Sequence, residues 1–437
     1  MRKKVFVKSF ILLLGLMGVN AVSNAQTDPP KITLVSPVEK QGVTLDEAVE
    51  RALNFNPEFK ALRKNVDIAR SEITRANTFS NPEASLNLGR GTSSEEGGDK
   101  SITGYEISVD KQMRVGSWWF NRKAAKAGFD VARDALRSAE QALIREVKST
   151  FYSLLSLERS LKLADETIRL NDELAKVARA RFERGEVSEV EANVLEIERD
   201  GSVQAKKRLE TDYLRQLYLF RNLLGSSPGE NLKPQGELVS EFWSFSVKDL
   251  IQSALERRPD LLAAQNRIKQ AKAQQKLAWV EVFPPVTVGF VRTKEVAGEE
   301  FTGIRLGIGV PVFDQNRARI QETKAFREQT EAQLEALLIQ VSREVQTAYD
   351  NLRLLKEQID IYEQSIQPKL EKTLEVYKKA YSSGQTGIIE ILINQRQYFQ
   401  AKGNYLITLG EFDQGKAELE QVIGGKLDEI FKEGGAR

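Results

Sequence analysis

The feature that most constrains the fold of this chain is an internal repeat. Residues 44–62 read TLDEAVERALNFNPEFKAL and residues 246–264 read SVKDLIQSALERRPDLLAA, and the two segments align without a gap. The alignment places Pro57 on Pro259. Chance similarity between two helix-rich halves is the alternative, but a shared order of motifs over the whole of each half argues against it. The sequence therefore predicts two copies of one structural unit.

The repeat continues to the end of each half. The glycine turn RFERGEVSEVEANVL of the first half matches AYSSGQTGIIEILIN of the second, and Leu224-Gly225 and Ile423-Gly424 close the two copies. The predicted organisation is a signal peptide at 1–25, a linker at 26–43, a first repeat at 44–225, an inter-repeat linker at 226–245, a second repeat at 246–424 and a C-terminal tail at 425–437.

The N-terminus has the pattern of a secretory signal. Basic residues at positions 2–4 precede an apolar run of about ten residues, Phe10 to Val19, and small residues follow in Ser23-Asn24-Ala25. This run is too short to span a membrane as a helix, so cleavage after Ala25 is the preferred interpretation and a retained anchor the alternative. No other segment is long and apolar enough for a transmembrane helix, so a membrane crossing would have to use β-strands.

The composition excludes several classes of function. The chain has no Cys and no His, which removes the usual ligands of zinc, copper and haem, and we predict no cofactor and no metal site. The 64 basic and 62 acidic residues nearly balance, so nucleic-acid binding is not expected. Asp and Glu are abundant, but none lies in a recognisable acid–base or metal motif, and we predict no enzymatic activity.

Each copy contains two strand-like segments, the predicted hairpins 83–110 and 286–312. Apolar residues alternate there with polar residues or glycine, which indicates a sheet with two different environments on its faces. A strand of nine or ten residues matches a tilted membrane crossing, although a half-buried soluble hairpin fits the pattern equally well. The predicted lipid-facing residues are Tyr105, Ile107, Val109, Ile304, Leu306 and Ile308.

Long helices follow the hairpins, at 120–184 and 317–383. Apolar residues step by alternating threes and fours along both, and the series in the first helix runs through Leu154, Leu161 and Ile168. This pattern predicts antiparallel coiled-coil pairing over about 100 Å. Pro368 should bend the second. Gly185 and Gly384 end these helices at sharp turns, and the return helices begin near Ser188 and Thr386. The short helix and the return helix of each copy, stacked end to end, would match the long helix in length.

Four strands from one chain are too few to close a barrel that has side chains inside it. Open strand edges in lipid would leave unpaired backbone groups, so the chain must oligomerise if its strands span. Two copies would give eight strands and a filled interior, whereas three would give twelve and a water-filled lumen. Aromatic residues at the strand–helix junctions would suit an interfacial girdle, with ordinary core packing as the alternative: Trp118, Trp119, Trp279 and Phe283.

These features resemble the outer-membrane efflux family typified by TolC. The resemblance covers about residues 44–424 and depends on the duplicated segment ALNFNPE and ALERRPD, the prolines before each hairpin, and the glycine turn with an acid six residues on. It implies a mainly α fold with a small β part: a coiled-coil α-barrel in the periplasm and a trimeric, twelve-stranded β-barrel in the outer membrane.

The resemblance also implies partners. The duct would connect, at its glycine-turn tips, to a periplasmic membrane-fusion adaptor and through it to an inner-membrane pump, most naturally of the RND type. By position, Glu191 and Glu390 match the acids that constrict the periplasmic entrance in the family, with solvated helix-face acids as the alternative. The implied adaptor contacts are Arg184, Gly185, Ser188, Ser383, Gly384 and Thr386.

The segment ARARFERGEVSEVEANVL and the Asn81-Pro82-Glu83 motif are most similar to the heavy-metal (Czc-type) branch of this family. The function predicted from the sequence is therefore a passive outer-membrane channel subunit that exports small solutes, with heavy-metal cations as one class. The competing hypothesis is a soluble periplasmic coiled-coil adaptor or scaffold, which would explain the signal and the heptads but not the duplicated hairpins.

Overall fold

A computed structural model of the protein describes residues 41–95, 98–227, 229–242, 244–295, 299–383 and 385–427. The expected signal peptide, most of the linker at 26–43, the end of the tail and Gly384 lie outside these residues. Ser227 and residues 229–231 form a separate short turn, in which the Ser227 N–H donates to the Glu230 carboxylate at 3.3 Å.

The two halves of the chain have the same order of elements. The first contains β1 (Gln41–Val43), α1 (Leu45–Phe55), α2 (Pro57–Asn77), β2 (Glu83–Glu95), β3 (Gly98–Met113), α3 (Ser117–Glu183) and α4 (Glu189–Leu223). The second contains β4 (Leu232–Pro234), α5 (Val247–Arg257), α6 (Pro259–Val280), β5 (Val286–Lys294), β6 (Glu300–Ile308), α7 (Arg317–Ile361), a π-helical turn (Tyr362–Ile366), α8 (Gln367–Ser382) and α9 (Ile388–Ile423). The prediction of a mainly helical fold with a small strand part is confirmed.

Local signals in the sequence account for the starts of the short helices. Thr44 and Glu47 form a reciprocal capping box at the start of α1. Pro57 and Pro259 occupy the first positions of α2 and α6, where a missing N–H costs nothing. Among the helices in the described ranges, none carries an apolar stretch sufficient to cross a membrane.

The strands form one antiparallel sheet in the order β2-β3-β5-β6, so β3 pairs with β5 and joins the two hairpins. The first hairpin extends past the expected residue 110, because Lys111 to Met113 continue the ladder against β5. The second ends at Ile308 rather than at 312, since Pro311 has no N–H to offer a ladder. A separate two-stranded parallel pair, β1 and β4, lies within the two predicted linkers.

The long helix of the second half is not continuous. Helix α3 runs unbroken for 67 residues, which corresponds to about 100 Å, whereas the equivalent segment divides at Tyr362–Ile366. There the Gln367 N–H donates to the Tyr362 carbonyl, and Pro368 falls in the first turn of α8. The wider turn accommodates a proline that cannot donate to the preceding helical turn. The predicted bend at Pro368 stays a prediction.

The short and return helices meet end to end in both halves, as predicted. In the first half the Asn56 side chain, before α2, donates to the carbonyl of Leu223 at the end of α4, over 3.0 Å. In the second half the Arg258 guanidinium, before α6, donates to the carbonyl of Val422 near the end of α9, over 3.3 Å. Helices α2 and α4 both pack along α3.

The main core lies where α1, α3, α5, α7 and α9 meet, and it includes Val147, Leu154, Val345 and Ile359. The predicted apolar seam of α3 holds as far as Leu154 and then drifts. Its expected members Leu161 and Ile168 are only half-buried, and the buried residues instead are Leu163, Leu170 and Leu174. The buried positions shift because α3 packs against α9 as well as against α4, so residues that face either helix are buried.

Candidate channel-forming sheet and helical tips

The four-stranded sheet has one face that is mainly apolar. Directly opposed residues of neighbouring strands share a face, and the register places Ile107 opposite Leu86, and Val288 opposite Leu306. All six predicted lipid-facing residues fall on this face, together with Leu86, Leu88, Met113, Val286, Val288 and Phe290. Ile304 and Leu306 are 76% and 74% exposed. Exposure of so many large apolar side chains indicates that this face is covered by something other than water.

The opposite face of the sheet is polar. The hydroxyls of Ser85 and Ser108 are 2.8 Å apart, and Ser108 donates to the Asp110 carboxylate at 2.7 Å. Arg305 forms ion pairs with Asp110 and Glu106 on the same face. The sheet therefore has one mainly apolar face and one mainly polar face.

The two edges of the sheet are open within the described residues, since β2 pairs there only with β3, and β6 only with β5. An open edge presents a row of unpaired N–H and C=O groups. An edge of this kind can pair with a strand of another chain.

Aromatic side chains collect where the sheet joins the helices. Trp118 and Trp119 lie in the first turn of α3, and the Trp118 ring stacks on Phe79 with centroids 6.4 Å apart. Trp279 in the last turn of α6 and Phe283 just before β5 are 59% and 76% exposed. The four predicted interface aromatics thus share one end of the sheet; Phe79 and the fully exposed Phe313 belong with them.

The first tip is a tight glycine turn between α3 and α4. Gly185 has a positive φ of 75°. Its N–H donates to the Phe182 carbonyl and the Glu186 N–H donates to the Arg181 carbonyl, and these two hydrogen bonds terminate the helix. Arg184 pairs with Glu186 at 2.8 Å. Ser188 then caps α4 by accepting from the Glu191 N–H at 3.3 Å. Arg184, Gly185 and Ser188 are exposed.

The second tip is built in a similar way between α8 and α9. The Gln385 N–H donates to the Ala380 carbonyl at 2.8 Å, Ser383 is exposed and Thr386 half-buried. Gly384 lies outside the described residues. Helix α9 begins after Gly387 without a side-chain cap.

Glu191 and Glu390 occupy the same position, the third residue, of α4 and α9. An acid in a first turn also stabilises the helix dipole, so their position alone does not distinguish an entrance role from a local one. Glu191 is half-buried whereas Glu390 is exposed.

Sequence reasoning missed Tyr381, which packs the two tips together. Its side chain is 2% exposed and lies in a cluster formed by α3, α4, α8 and α9 with Ala178, Leu195 and Ile391. Burial raises the pKa of the Tyr381 phenol, and the nearby Glu191 carboxylate raises this pKa further. The only signal in the sequence was its position five residues before Thr386 at the end of a long helix.

Comparison with known proteins agrees with this architecture. A sequence model of the outer membrane efflux protein family matches residues 48–226 and 250–425. The chain belongs to this family. It is an efflux channel protein of the outer membrane with its helical part in the periplasm, and the prediction of this function and location is confirmed over that of a soluble adaptor. The family consists of channels rather than enzymes.

One relative is the cobalt-zinc-cadmium resistance protein CzcC of Cupriavidus metallidurans, 24% identical over 92% of this chain and 95% of its own length. Among solved structures, the CmeC outer membrane channel of Campylobacter jejuni superposes with a TM-score of 0.74 at 14% identity, covering 90% of this chain and 88% of its own. CusC superposes with a TM-score of 0.73 at 16% identity, covering 91% and 97%. These structures share the fold.

Proposed function

We propose that this family member is one protomer of a trimeric duct whose twelve-stranded barrel crosses the outer membrane. The observation that carries the proposal is the four-stranded sheet with one exposed apolar face and two open edges. Four strands are too few to close, and three copies give twelve strands with a water-filled lumen on the polar side. The helices below would form the coiled-coil wall of the periplasmic tunnel.

Exposed apolar residues on the helices support assembly from several copies. Val190 and Ile197 on α4 are 71% and 69% exposed, and Ile361 at the end of α7 is 58% exposed. In a ring these faces would be covered by neighbouring protomers. The two halves have the same order of elements, which supports two repeats at 44–225 and 246–424 that arose by duplication.

Cross-linking tests the trimer directly, because the natural chain has no Cys. One cysteine is placed on each edge strand on the polar face, at Ser85 or Asn87 of β2 and at Phe301 or Gly307 of β6. The expected product of oxidation in membranes is a ladder that ends at a covalent trimer. Monomers from all four pairs, or bands larger than the trimer, would reject the proposed ring.

The matched control carries cysteines in place of Ser108 and Val291, which face each other on β3 and β5. This pair should cross-link within one chain and give a monomer of altered mobility. It verifies that the sheet is formed and that oxidation was complete.

The tips are proposed to contact a periplasmic adaptor and, through it, an inner-membrane pump of the RND type. This role is supported by exposed residues at the turns between the long and return helices, which are far along the chain from the strands: Arg184, Gly185, Ser188 and Ser383. Glu191 and Glu390 are proposed to line the entrance. Residues 1–25 are proposed to be a signal peptide, which predicts a mature protein that begins at Gln26.

Heavy-metal cations are the proposed cargo, on the basis of the CzcC relative. In the described part of the chain, no group of three or more acidic side chains is arranged to hold a metal ion. The test is growth of a deletion strain with Co²⁺, Zn²⁺ or Cd²⁺ and, in parallel, with dyes and detergents. A strain sensitive only to the dyes and detergents would reject heavy-metal cations as the cargo, while the proposed channel function would stand.

A further inference from the structure

Arg305 connects three strands on the polar face of the sheet. Asp110 of β3, Gly289 of β5 and Arg305 of β6 lie directly opposite one another in a single row. The Arg305 guanidinium crosses the middle strand, with Nη1 3.2 Å from an Asp110 oxygen and Nη2 2.6 Å from a Glu106 oxygen. The two ion pairs therefore join β6 to β3, which is not its neighbour.

Gly289 makes this crossing possible. A Cβ built on Gly289 would lie 1.9 Å from Asp110 Oδ1, so the carboxylate occupies the space that a side chain would need. A glycine weakens a strand and usually marks a close approach of another group. Here the group is the charged cluster itself.

The cluster is open to the solvent of this face. The side chains of Arg305, Glu106 and Asp110 are 41%, 32% and 22% exposed. Among the described side chains of the polar face, three carboxylates (Glu83, Glu106 and Asp110) and one guanidinium (Arg305) leave a net charge of −2 per chain. Arg305 thus offsets one of the three negative charges that the described side chains place on this face.

We propose that Arg305 sets the ion selectivity of the barrel lumen by limiting the negative charge on its wall. This inference rests on the proposed function, since it requires the polar face to line a water-filled pore. Fixed charges on a pore wall raise the local concentration of counter-ions, and rings of charged side chains determine whether cations or anions pass. The negative wall favours cations, and Arg305 moderates that preference.

The chain offers a matched control on the other side of the same strands. Arg292 of β5 pairs with Glu300 of β6 at 3.2 Å, and both lie on the apolar face. The two residues are 47% and 46% exposed, similar to Arg305. Removing the Arg292 charge changes the total charge by the same amount without changing the wall of the lumen.

The test measures reversal potentials of purified wild-type and variant protein in planar lipid bilayers across a KCl gradient. Arg305→Gln should raise the ratio of K⁺ to Cl⁻ permeability about twofold in 0.1 M salt, and less in 1 M salt, where the Debye length falls to about 3 Å. Arg292→Gln should leave the ratio unchanged. An unchanged ratio in Arg305→Gln at normal conductance would overturn the inference.

A second variant covers the case in which unpaired Glu106 and Asp110 prevent assembly of Arg305→Gln. Glu106→Gln/Asp110→Asn/Arg305→Gln replaces the whole cluster with neutral side chains, and among the described side chains of the polar face it leaves only the charge of Glu83. Its K⁺ to Cl⁻ ratio should fall below that of the wild type, and a ratio equal to or above the wild type would also overturn the inference. If the wild type itself forms no trimeric channel, the proposed function fails instead.

Discussion

The side chain of Asn56 caps two different helices at once. Its Oδ1 accepts from the Phe59 N–H at 2.9 Å at the start of α2, and its Nδ2 donates to the Leu223 carbonyl at 3.0 Å at the end of α4. Both helix ends leave backbone groups without partners inside the helix. One buried amide therefore satisfies an orphan donor and an orphan acceptor from segments far apart in sequence.

Asn56→Ala should destabilise the protein by about 2 kcal/mol. The lost N-cap costs about 1 kcal/mol, and the Leu223 carbonyl left without a donor costs about as much again. Urea unfolding in detergent, followed by circular dichroism, measures this change. Asn54→Ala, on the exposed side of α1, is the control and should change the free energy of unfolding by less than about 0.5 kcal/mol. Equal effects of the two substitutions would contradict the double-cap interpretation.

Leu306→Arg should reduce insertion into the outer membrane, because a lipid-facing charge near the bilayer centre costs about 2–4 kcal/mol. The measurement is the amount of SDS-resistant trimer in the outer-membrane fraction. Asn87→Arg places the same charge on the polar face and should insert normally. Normal trimer from Leu306→Arg would contradict the assignment of the apolar face to lipid; Ile308→Arg should behave like Leu306→Arg.

Local signals made most elements predictable from the sequence. Prolines at the starts of α2 and α6, the Gly185 turn and the period-two alternation on the strands act over a few residues, so they can be read without knowing the fold. The same alternation assigned all six apolar residues to one face of each hairpin. The structure adds that the faces of the two hairpins coincide.

Non-local contacts were the part that the sequence could not supply. Nothing local specifies that β3 pairs with β5, or that the seam of α3 turns toward Leu163 and Leu170 to meet a second partner helix. Asn56 stands in the duplicated segment ALNFNPE, but its hydrogen bond to the Leu223 carbonyl depends on how two helices stack. Arg305 could be placed on the polar face, whereas its crossing over a glycine to β3 depends on the register of three strands.

Gly185→Val should impair export while leaving the trimer intact. Gly185 has a φ of 75°, and a β-branched residue is strained in this region, so the tip must rearrange. A Cβ at this position meets no neighbouring atom within 4 Å, so the effect comes from the backbone and not from a clash. Growth of a complemented deletion strain on Zn²⁺ measures export, and SDS-resistant trimer measures assembly.

Gly185→Asn is the control for the tip, because asparagine tolerates the left-handed conformation. It should retain export close to the wild type. Wild-type export by Gly185→Val would count against an adaptor contact at this tip.

Asp413 makes the stability of the folded protein depend on pH. Its side chain is 1% exposed, accepts from the Val239 N–H at 3.1 Å and pairs with Lys416 at 2.6 Å. Burial raises the pKa of the Asp413 carboxyl, although Lys416 and the Val239 N–H oppose this. The folded state therefore holds this proton more tightly than the unfolded state, and this contribution to stability is lost as pH rises from about 4 through the raised pKa.

Asp413→Asn should remove this loss of stability at higher pH, because the amide is never charged and its oxygen can still accept from the Val239 N–H. The difference in free energy of unfolding between wild type and variant should shift in favour of the variant as pH rises from 4 to 7. Comparing the two proteins at each pH cancels the contributions of the other acids. A shift in favour of the wild type would show that the ion pair with Lys416 outweighs the cost of burial.

Two glycines of the first half should respond to alanine with opposite signs. Gly225 has a φ of 63° just after α4, and a Cβ there would lie 2.4 Å from the Phe55 carbonyl oxygen, where the chain enters α2. Gly201 lies inside α4, and a Cβ there meets nothing within 4 Å. Gly225→Ala should cost about 3 kcal/mol or more, from strain and a backbone clash, whereas Gly201→Ala should stabilise by about 0.5–1 kcal/mol. Urea unfolding measures both, and the same sign for both would mean that α4 and α2 do not meet as closely as the Asn56 bond indicates.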